Sequence, residues 1–268
     1  MKIFNIELDS LKYRDFFAKI TQLDKQNIVF TPNPEILLKT LCDSQFENMI
    51  QQASYKTPDG IWLYIAFQML EEKNRILRFI KIPYYFFNLF FRRKNLYQQY
   101  WERICGSDVT NDLLYFCENK QVKITILDLY NPTDKNKVAS QKKFPHVFQA
   151  KFPNLKFDFF IYNPEKKSDI LESIKNSDSQ VIFSTLWMKK QEESVIEVIN
   201  YCPNIKLWLG IGSSFDYFIW FQKRAPKFFR VLWLEWLYRI FTGPQKLKRL
   251  KRIYNAIFVF LWKVLQQK

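Results

Sequence analysis

Few side chains in this 268-residue chain are able to make or break bonds, and their spacing removes most of the familiar constellations. The one histidine, His146, stands in a Lys-rich, Pro-containing stretch with Lys142, Lys143 and Pro145. Any Ser-His-Asp or Cys-His relay would rest wholly on it, and a surface histidine is the simpler reading. Cys42, Cys105, Cys117 and Cys202 show no CxxC spacing and lie far in sequence from His146, which argues against zinc and for free, reduced thiols. The five glycines form neither a GxGxxG loop nor a Walker A loop. What remains is a carboxylate in a turn, Pro58-Asp59-Gly60, ahead of an apolar helical run over residues 61–70. Read locally, Asp59 caps that helix or shapes the turn. A carboxylate held in a cleft is also a general base.

The second chemical resource is cationic charge. Lys and Arg number 41 against 26 Asp and Glu, a formal net charge of +15. Residues 223–268 hold twelve basic residues and one acid, Glu235, and residues 73–94 hold seven and none, so the remaining 200 residues are slightly acidic. Large apolar rings are interleaved with both basic segments. Tyr84, Tyr85, Phe86, Phe87, Phe90 and Phe91 precede Arg92, Arg93 and Lys94, while Trp233, Trp236, Phe241, Phe258, Phe260 and Trp262 lie in the second. Rings beside cations suit the headgroup boundary of an anionic membrane; the alternative is core aromatics beside a solvated charge run. No recognised nucleic-acid-binding module accompanies the charge, and nucleic acid is not expected as a partner.

These groups need a scaffold. Residues 27–31, 122–128, 157–162, 181–185 and 206–211 read as strands, each followed by a helical pattern, which predicts an α/β fold with a Rossmann-like, mostly parallel sheet flanked by helices. Such sheets bind ligands beyond the carboxyl ends of their strands. Those ends carry Thr31-Pro32-Asn33-Pro34, Asn131-Pro132 and Asn163-Pro164, read locally as loop-forming turns. From Pro244, residues Leu247, Leu250, Tyr254, Ile257, Phe258, Leu261, Val264 and Leu265 recur at three- and four-residue steps, predicting one apolar face on a basic amphipathic helix. Lys246, Lys248, Arg249, Lys251 and Arg252 crowd its start, against the helix dipole, and so point to an external anion. The expected organisation is an α/β core over residues 1–222, with an aromatic-basic insertion around residues 73–100, and a membrane-associating appendage over residues 223–268. The N-terminus lacks the apolar core of a signal peptide, and no apolar run reaches the roughly 18–20 residues that span a bilayer.

In their shared order these motifs resemble the WecG/TagA/CpsF family of bacterial glycosyltransferases. The matches are Thr31-Pro32-Asn33, Pro58-Asp59-Gly60, Glu102-Arg103 with Gly106-Ser107-Asp108, Lys190-Gln191-Glu192, the GIGSSFD block from Gly210 to Asp216, Arg224-Ala225-Pro226, and LEWLYR ending at Arg239 before Pro244, Lys246, Leu247 and Arg249. The resemblance implies an inverting, metal-independent transfer, without cofactor, of an N-acetylmannosamine-like sugar or its uronate from a UDP donor. The implied acceptor is an undecaprenyl-diphosphate-linked sugar at the cytoplasmic face of the cell membrane. It implies Asp59 as general base with Thr31 and Asn33 nearby, Arg103 offsetting phosphate charge, and Gln191 near the nucleotide. Asp216 would hold a loop or ribose, and Arg239 and Arg249 would meet the diphosphate from a C-terminal lid. Arg224 is either a further donor contact or a structural ion-pair residue. Some family members self-associate, and the resemblance leaves both a monomer and a homo-oligomer open.

The chain departs from the family pattern in several turns. Asp128-Leu129 replaces a glycine pair, Trp187-Met188-Lys189 stands where a Gly-x-Pro is usual, Trp220 occupies a common glycine position, and Lys246 a frequent arginine. These losses motivate a second reading, a catalytically degenerate homologue serving as a membrane-bound partner subunit of another transferase. The segment between Asp59 and Arg103 is longer than the family norm and is read as an added membrane or acceptor contact.

Overall fold

The structure, a computed structural model, describes residues 1–102, 104–129, 135–212, 225–226, 228–229, 237–238 and 246–267. A short antiparallel hairpin, β1 (Lys2–Ile3) and β2 (Ile6–Glu7), opens the chain. Six strands then form one parallel sheet: β3 (Asn27–Phe30), β4 (Tyr55–Lys56), β5 (Ile124–Leu129), β6 (Phe157–Tyr162), β7 (Val181–Ser184) and β8 (Leu207–Gly210), in the spatial order β4-β3-β8-β7-β5-β6. The five expected strands are present, each end within two residues of the expected one; β4, two residues long, was not anticipated.

Strands β3, β7 and β8 are buried at every residue, as a parallel sheet covered on both faces requires. Alternation sorts their side chains between two cores. Ile28, Phe30, Ile182 and Trp208 enter one, with α3 (Ser44–Gln51), α4 (Trp62–Glu71) and α11 (Lys190–Tyr201). Val29, Val181, Phe183, Leu207 and Leu209 enter the other, with α1 (Tyr13–Ile20), α8 (Gly106–Asn119) and α9 (Lys135–Lys151). Helix α4 buries eight consecutive residues from Trp62 to Met69, which its all-round apolar sequence allows. It is therefore a rigid rod beneath the turn carrying Asp59.

After α4 the insertion forms α5 (Arg75–Ile80), α6 (Ile82–Phe91) and α7 (Arg93–Gln99). At the other end of the chain, α12 (Lys246–Tyr254) passes through a π-helical turn, Asn255–Val259, into α13 (Phe260–Gln266). Helix α13 packs on α4, α5 and α2 (Pro34–Thr40). Phe260, Leu261 and Val264 are buried in the first core, the Phe260 ring meets Phe4 edge-on at 6.0 Å, and Phe4 N donates to Gln267 Oε1 at 3.0 Å. Arg78 fastens the end of α13: its Nη1 donates to the carbonyls of Gln267 (2.6 Å) and Val264 (3.4 Å), and its Nε donates to Glu72 O (2.6 Å).

The single apolar face expected on the C-terminal helix is not what forms. Leu250, Tyr254 and Phe258 are exposed, whereas Leu261 and Val264 are buried. The wide π turn changes the phase between α12 and α13, so one three-and-four spacing rule cannot hold across it. The predicted first turn at Pro244 lies outside the described residues. No helix among the described residues is long and apolar enough to cross a membrane. His146 is exposed on α9, and all four cysteines are free thiols, both as expected.

Because Phe260 is fully buried, Phe260→Ala should cost about 3–5 kcal/mol of stability in denaturant unfolding. A cost below about 1 kcal/mol would mean that the C-terminal helix does not share the core in solution.

Candidate active site

The carboxyl edge of the sheet gathers the turn residues. Strand β4 pairs with β3 through Val29↔Tyr55 and Phe30↔Lys56, and two backbone bonds extend this pairing into the loops. Thr57 N donates to Phe30 O at 3.1 Å, and Asp59 N donates to Pro32 O at 2.9 Å. The turns bearing Asp59 and Thr31-Pro32-Asn33 are thereby stitched together. Gly60 follows with φ +117°, a region that side chains rarely adopt, and a Cβ there would lie 3.6 Å from Pro34 Cδ. The N-cap position of α4 is Ile61, so Asp59 is not the cap that its sequence position first suggests. It stands half-buried just ahead of the helix.

Asn33 is the N-cap of α2, its Oδ1 accepting from Ile36 N at 3.0 Å, which fixes the amide group. Thr31 is half-buried at the end of β3, and a Cβ placed on Gly106 would lie 3.9 Å from its Oγ1 and Cγ2, so its side chain sits over the first residue of α8. The first turn of the fourteen-residue helix α8, which carries Asp108, therefore begins beside Thr31. Arg103 itself is outside the described residues, but the segment leading to it is pinned. Tyr64 Oη donates to Trp101 O at 3.0 Å with the two rings stacked at 4.2 Å, Ser10 Oγ donates to Tyr100 O, and Glu102 Oε2 accepts from Tyr13 N at 2.9 Å. Burial, then the hydrogen bond to Asp112, raise the Tyr13 hydroxyl far above its ordinary range.

On the other side of β3 the register Val29↔Leu209 brings the end of β8 alongside Thr31. Here Gln191, on α11, is packed so tightly over Gly210 that a Cβ on that glycine would lie 2.2 Å from Gln191 Nε2. Gln191 Nε2 donates to Glu192 Oε1 at 3.3 Å, while Gln191 Oε1 and Ser184 Oγ are buried with no hydrogen-bond partner among the described residues. Glu192 closes a capping box on Lys189 N at 2.6 Å, and burial pushes its carboxyl above the usual range. Lys189, at φ 76°, pairs with Asp43 at 2.9 Å and draws that carboxyl down to about 2. From Asp59 to Ser184 the edge spans three interstrand spacings, roughly 14 Å.

Asp128, where glycine was expected, is 6% exposed and saturated: its oxygens accept from Lys137 Nζ at 2.8 Å, Gln141 Nε2 at 2.9 Å, Leu129 N at 2.9 Å and the Thr185 hydroxyl. Lys137 neutralises the carboxylate, so the replacement puts no uncompensated negative charge at this edge. Ser184, Thr185 and Lys137 were not singled out from sequence; only their place at strand ends and loop starts marks them. Asn163 caps a 3-10 turn through Glu165 N at 3.1 Å, in line with its reading as a loop residue. Asp216, Arg224 and Arg239 lie outside the described residues, and Arg249 falls on α12 with its side chain outside them. Three residues beyond it, Arg252 reaches Glu35 in the first turn of α2 at 3.5 Å, so α12 runs beside the helix that Asn33 caps.

Comparison with known proteins gives this edge its context. The profile described as "Glycosyl transferase WecG/TagA/CpsF family" matches residues 1–90 and 88–268. The chain belongs to this glycosyltransferase family. It is 25% identical over 256 residues to the N-acetylglucosaminyldiphosphoundecaprenol N-acetyl-beta-D-mannosaminyltransferase of Staphylococcus aureus strain MRSA252, covering 95% of this chain and 85% of the relative. The protein of the same name from strain NCTC 8325 / PS 47 matches to the same extent. The protein is thus a glycosyltransferase, on a six-stranded parallel α/β scaffold with helices on both faces.

The Gln191 to Gly210 contact tests this geometry without any assay of transfer. Gly210→Ala should destabilise the transferase by about 1–3 kcal/mol in urea unfolding, as overpacking does. Adding Gln191→Ala should recover part of it, with a coupling above about 0.5 kcal/mol; strictly additive losses would contradict the contact.

Proposed function

We propose that this chain transfers an N-acetylmannosamine-like sugar, or its uronate, from a UDP donor to a sugar carried on undecaprenyl diphosphate, with inversion at the anomeric carbon. The family membership and the named activity of the staphylococcal relatives support the reaction class and the acceptor. The observation that supports the residue assignment is the Asp59 N to Pro32 O bond, which holds the turn carrying Asp59 against the Thr31-Pro32-Asn33 turn at the carboxyl edge of a parallel sheet, where such folds bind ligands.

In this reading Asp59 accepts the proton of the acceptor hydroxyl as its oxygen attacks the anomeric carbon. The bond from that carbon to the β-phosphate oxygen breaks, and UDP departs with the electron pair. Thr31 and the capped amide of Asn33 orient the acceptor, and Gln191 lies where the nucleotide would reach the end of β8. Charge developing on the diphosphate needs fixed donors and cations. Arg103 supplies them from the core; Arg239 and Arg249 supply them from the appendage, with Asp216 and Arg224 as further donor contacts. No metal or cofactor is assigned a part, so transfer should survive chelation by EDTA.

The acceptor's lipid places the work at a membrane, where a peripheral protein with cationic segments would meet anionic headgroups on the cytoplasmic side. The experiment incubates the protein with UDP-N-acetylmannosamine and a short-chain polyprenyl-diphosphate N-acetylglucosamine, read by mass spectrometry. Asp59→Asn should lower the rate by about 10²–10⁴-fold while folding and vesicle binding persist. Undiminished transfer by that variant would end the general-base assignment.

A further inference from the structure

Two consecutive helices of this protein each bury a polar side chain and expose a run of large apolar ones. Helix α5 buries one of its two arginines, Arg78 at 4% exposure, and turns Ile76 (70% exposed), Leu77, Phe79 and Ile80 to the outside. Helix α6 buries Tyr85 and Leu89 in the first core and beside them Asn88, whose Nδ2 donates to Gln68 Oε1 at 2.7 Å, and leaves Tyr84, Phe87, Phe90 and Phe91 (75% exposed) uncovered. A polar side chain inside and large apolar ones outside run against what water selects, and exposed apolar patches of this size mark a contact surface.

The surrounding charge indicates the contact. Lys73, Arg75, Arg92 and Lys94 are exposed around the patch, residues 73–94 contain no acid, and the Arg92 guanidinium lies over the Phe87 ring at 5.6 Å. Rings and aliphatic side chains flanked by cations match an anionic bilayer, whose apolar interior takes the first and whose headgroups take the second. A second copy of the chain would bring the same cationic rim against itself.

The C-terminal helix carries a companion stripe. Leu250, Tyr254, Phe258 and Trp262 are exposed at four-residue steps, with Lys251, Arg252 and Lys263 exposed beside them. Helix α5 packs on α13, and Arg78 joins them by donating to the last carbonyls of α13, where a permanent cation is favoured by the helix dipole.

We propose that α5 and α6 form a membrane-docking element of their own, inserting Ile76, Phe79, Ile80, Phe87 and Phe91 into an anionic bilayer, and that Arg78 locks it to the C-terminal helix so that both engage one membrane surface. This deepens the membrane-bound reading above and rests on it.

The test is co-flotation of the full chain with phosphatidylcholine vesicles containing about 30 mol% phosphatidylglycerol, and with phosphatidylcholine alone. It compares wild type with Ile76→Ser/Phe79→Ser/Ile80→Ser and with Phe87→Ser/Phe91→Ser. Both variants change only exposed side chains, so their melting should match wild type. The expected result is binding of the wild type to the anionic vesicles, weakened about tenfold or more in each variant. Transfer to a water-soluble short-chain acceptor should stay within about twofold of wild type. Unchanged vesicle binding in both variants overturns the proposal, as does a wild-type dimer that falls apart in them while vesicle binding is kept. A wild type that transfers sugar but ignores vesicles refutes the docking element and leaves the transferase reading standing; vesicle binding lost in the variants without transfer by any form does the reverse.

Discussion

One backbone hydrogen bond, from Asp59 N to the carbonyl of Pro32, holds the two turns of the site in register. Everything proposed for catalysis depends on it, because β4 is only two residues long and pairs on one side alone. The bond works because its surroundings are stiff. Ahead of it, Thr57 N continues the β3 ladder to Phe30 O; behind it, Gly60 takes a backbone turn that other residues resist and delivers the chain into α4, buried along eight consecutive residues. A carboxylate carried on such a turn has its backbone held from both sides, which suits the role of base proposed for it.

The donor half of the edge is organised by packing and by charge compensation. Gly210 exists as glycine because the Gln191 side chain occupies the space of its Cβ. Asp128 is tolerated at a strand end because Lys137, Gln141 and Thr185 absorb its charge and lone pairs. The same compensation explains how a chain that has lost turn glycines retains a usable edge, and it weakens the case for a degenerate homologue. Near the TPN loop, the start of α8 lies beside Thr31, and α12 runs along α2 with Arg252 paired to Glu35.

Much of the scaffold was legible from residues alone. The β3, β7 and β8 runs are apolar throughout since both faces of each strand are covered, and β5 and β6 carry enough β-branched and aromatic residues to stand out. Strand β4 was invisible: Tyr55-Lys56 has no pattern, and its strand state comes from pairing with residues 26 positions earlier. Motif order pointed to Asp59, Thr31, Asn33 and Gln191, but only coordinates show Asp59 to be other than the cap of α4 and Gln191 to need Gly210. The C-terminal helix was misread because a π turn changes phase without a sequence signature. In the insertion, composition announced aromatic and basic residues while concealing which face each would take; the burial of Arg78 and Asn88 depends on their finding partners inside.

The central claim is that the Asp59 carboxylate takes the acceptor proton in the rate-determining transfer. Its most direct test is the pH dependence of kcat/KM for the short-chain acceptor in the wild type and in the residual activity of Asp59→Asn. The account predicts a wild-type rate that rises with pH through one proton dissociation to a plateau, and a residual rate in the variant without that rise. The same acid limb in both proteins would place the base on another residue and contradict the account.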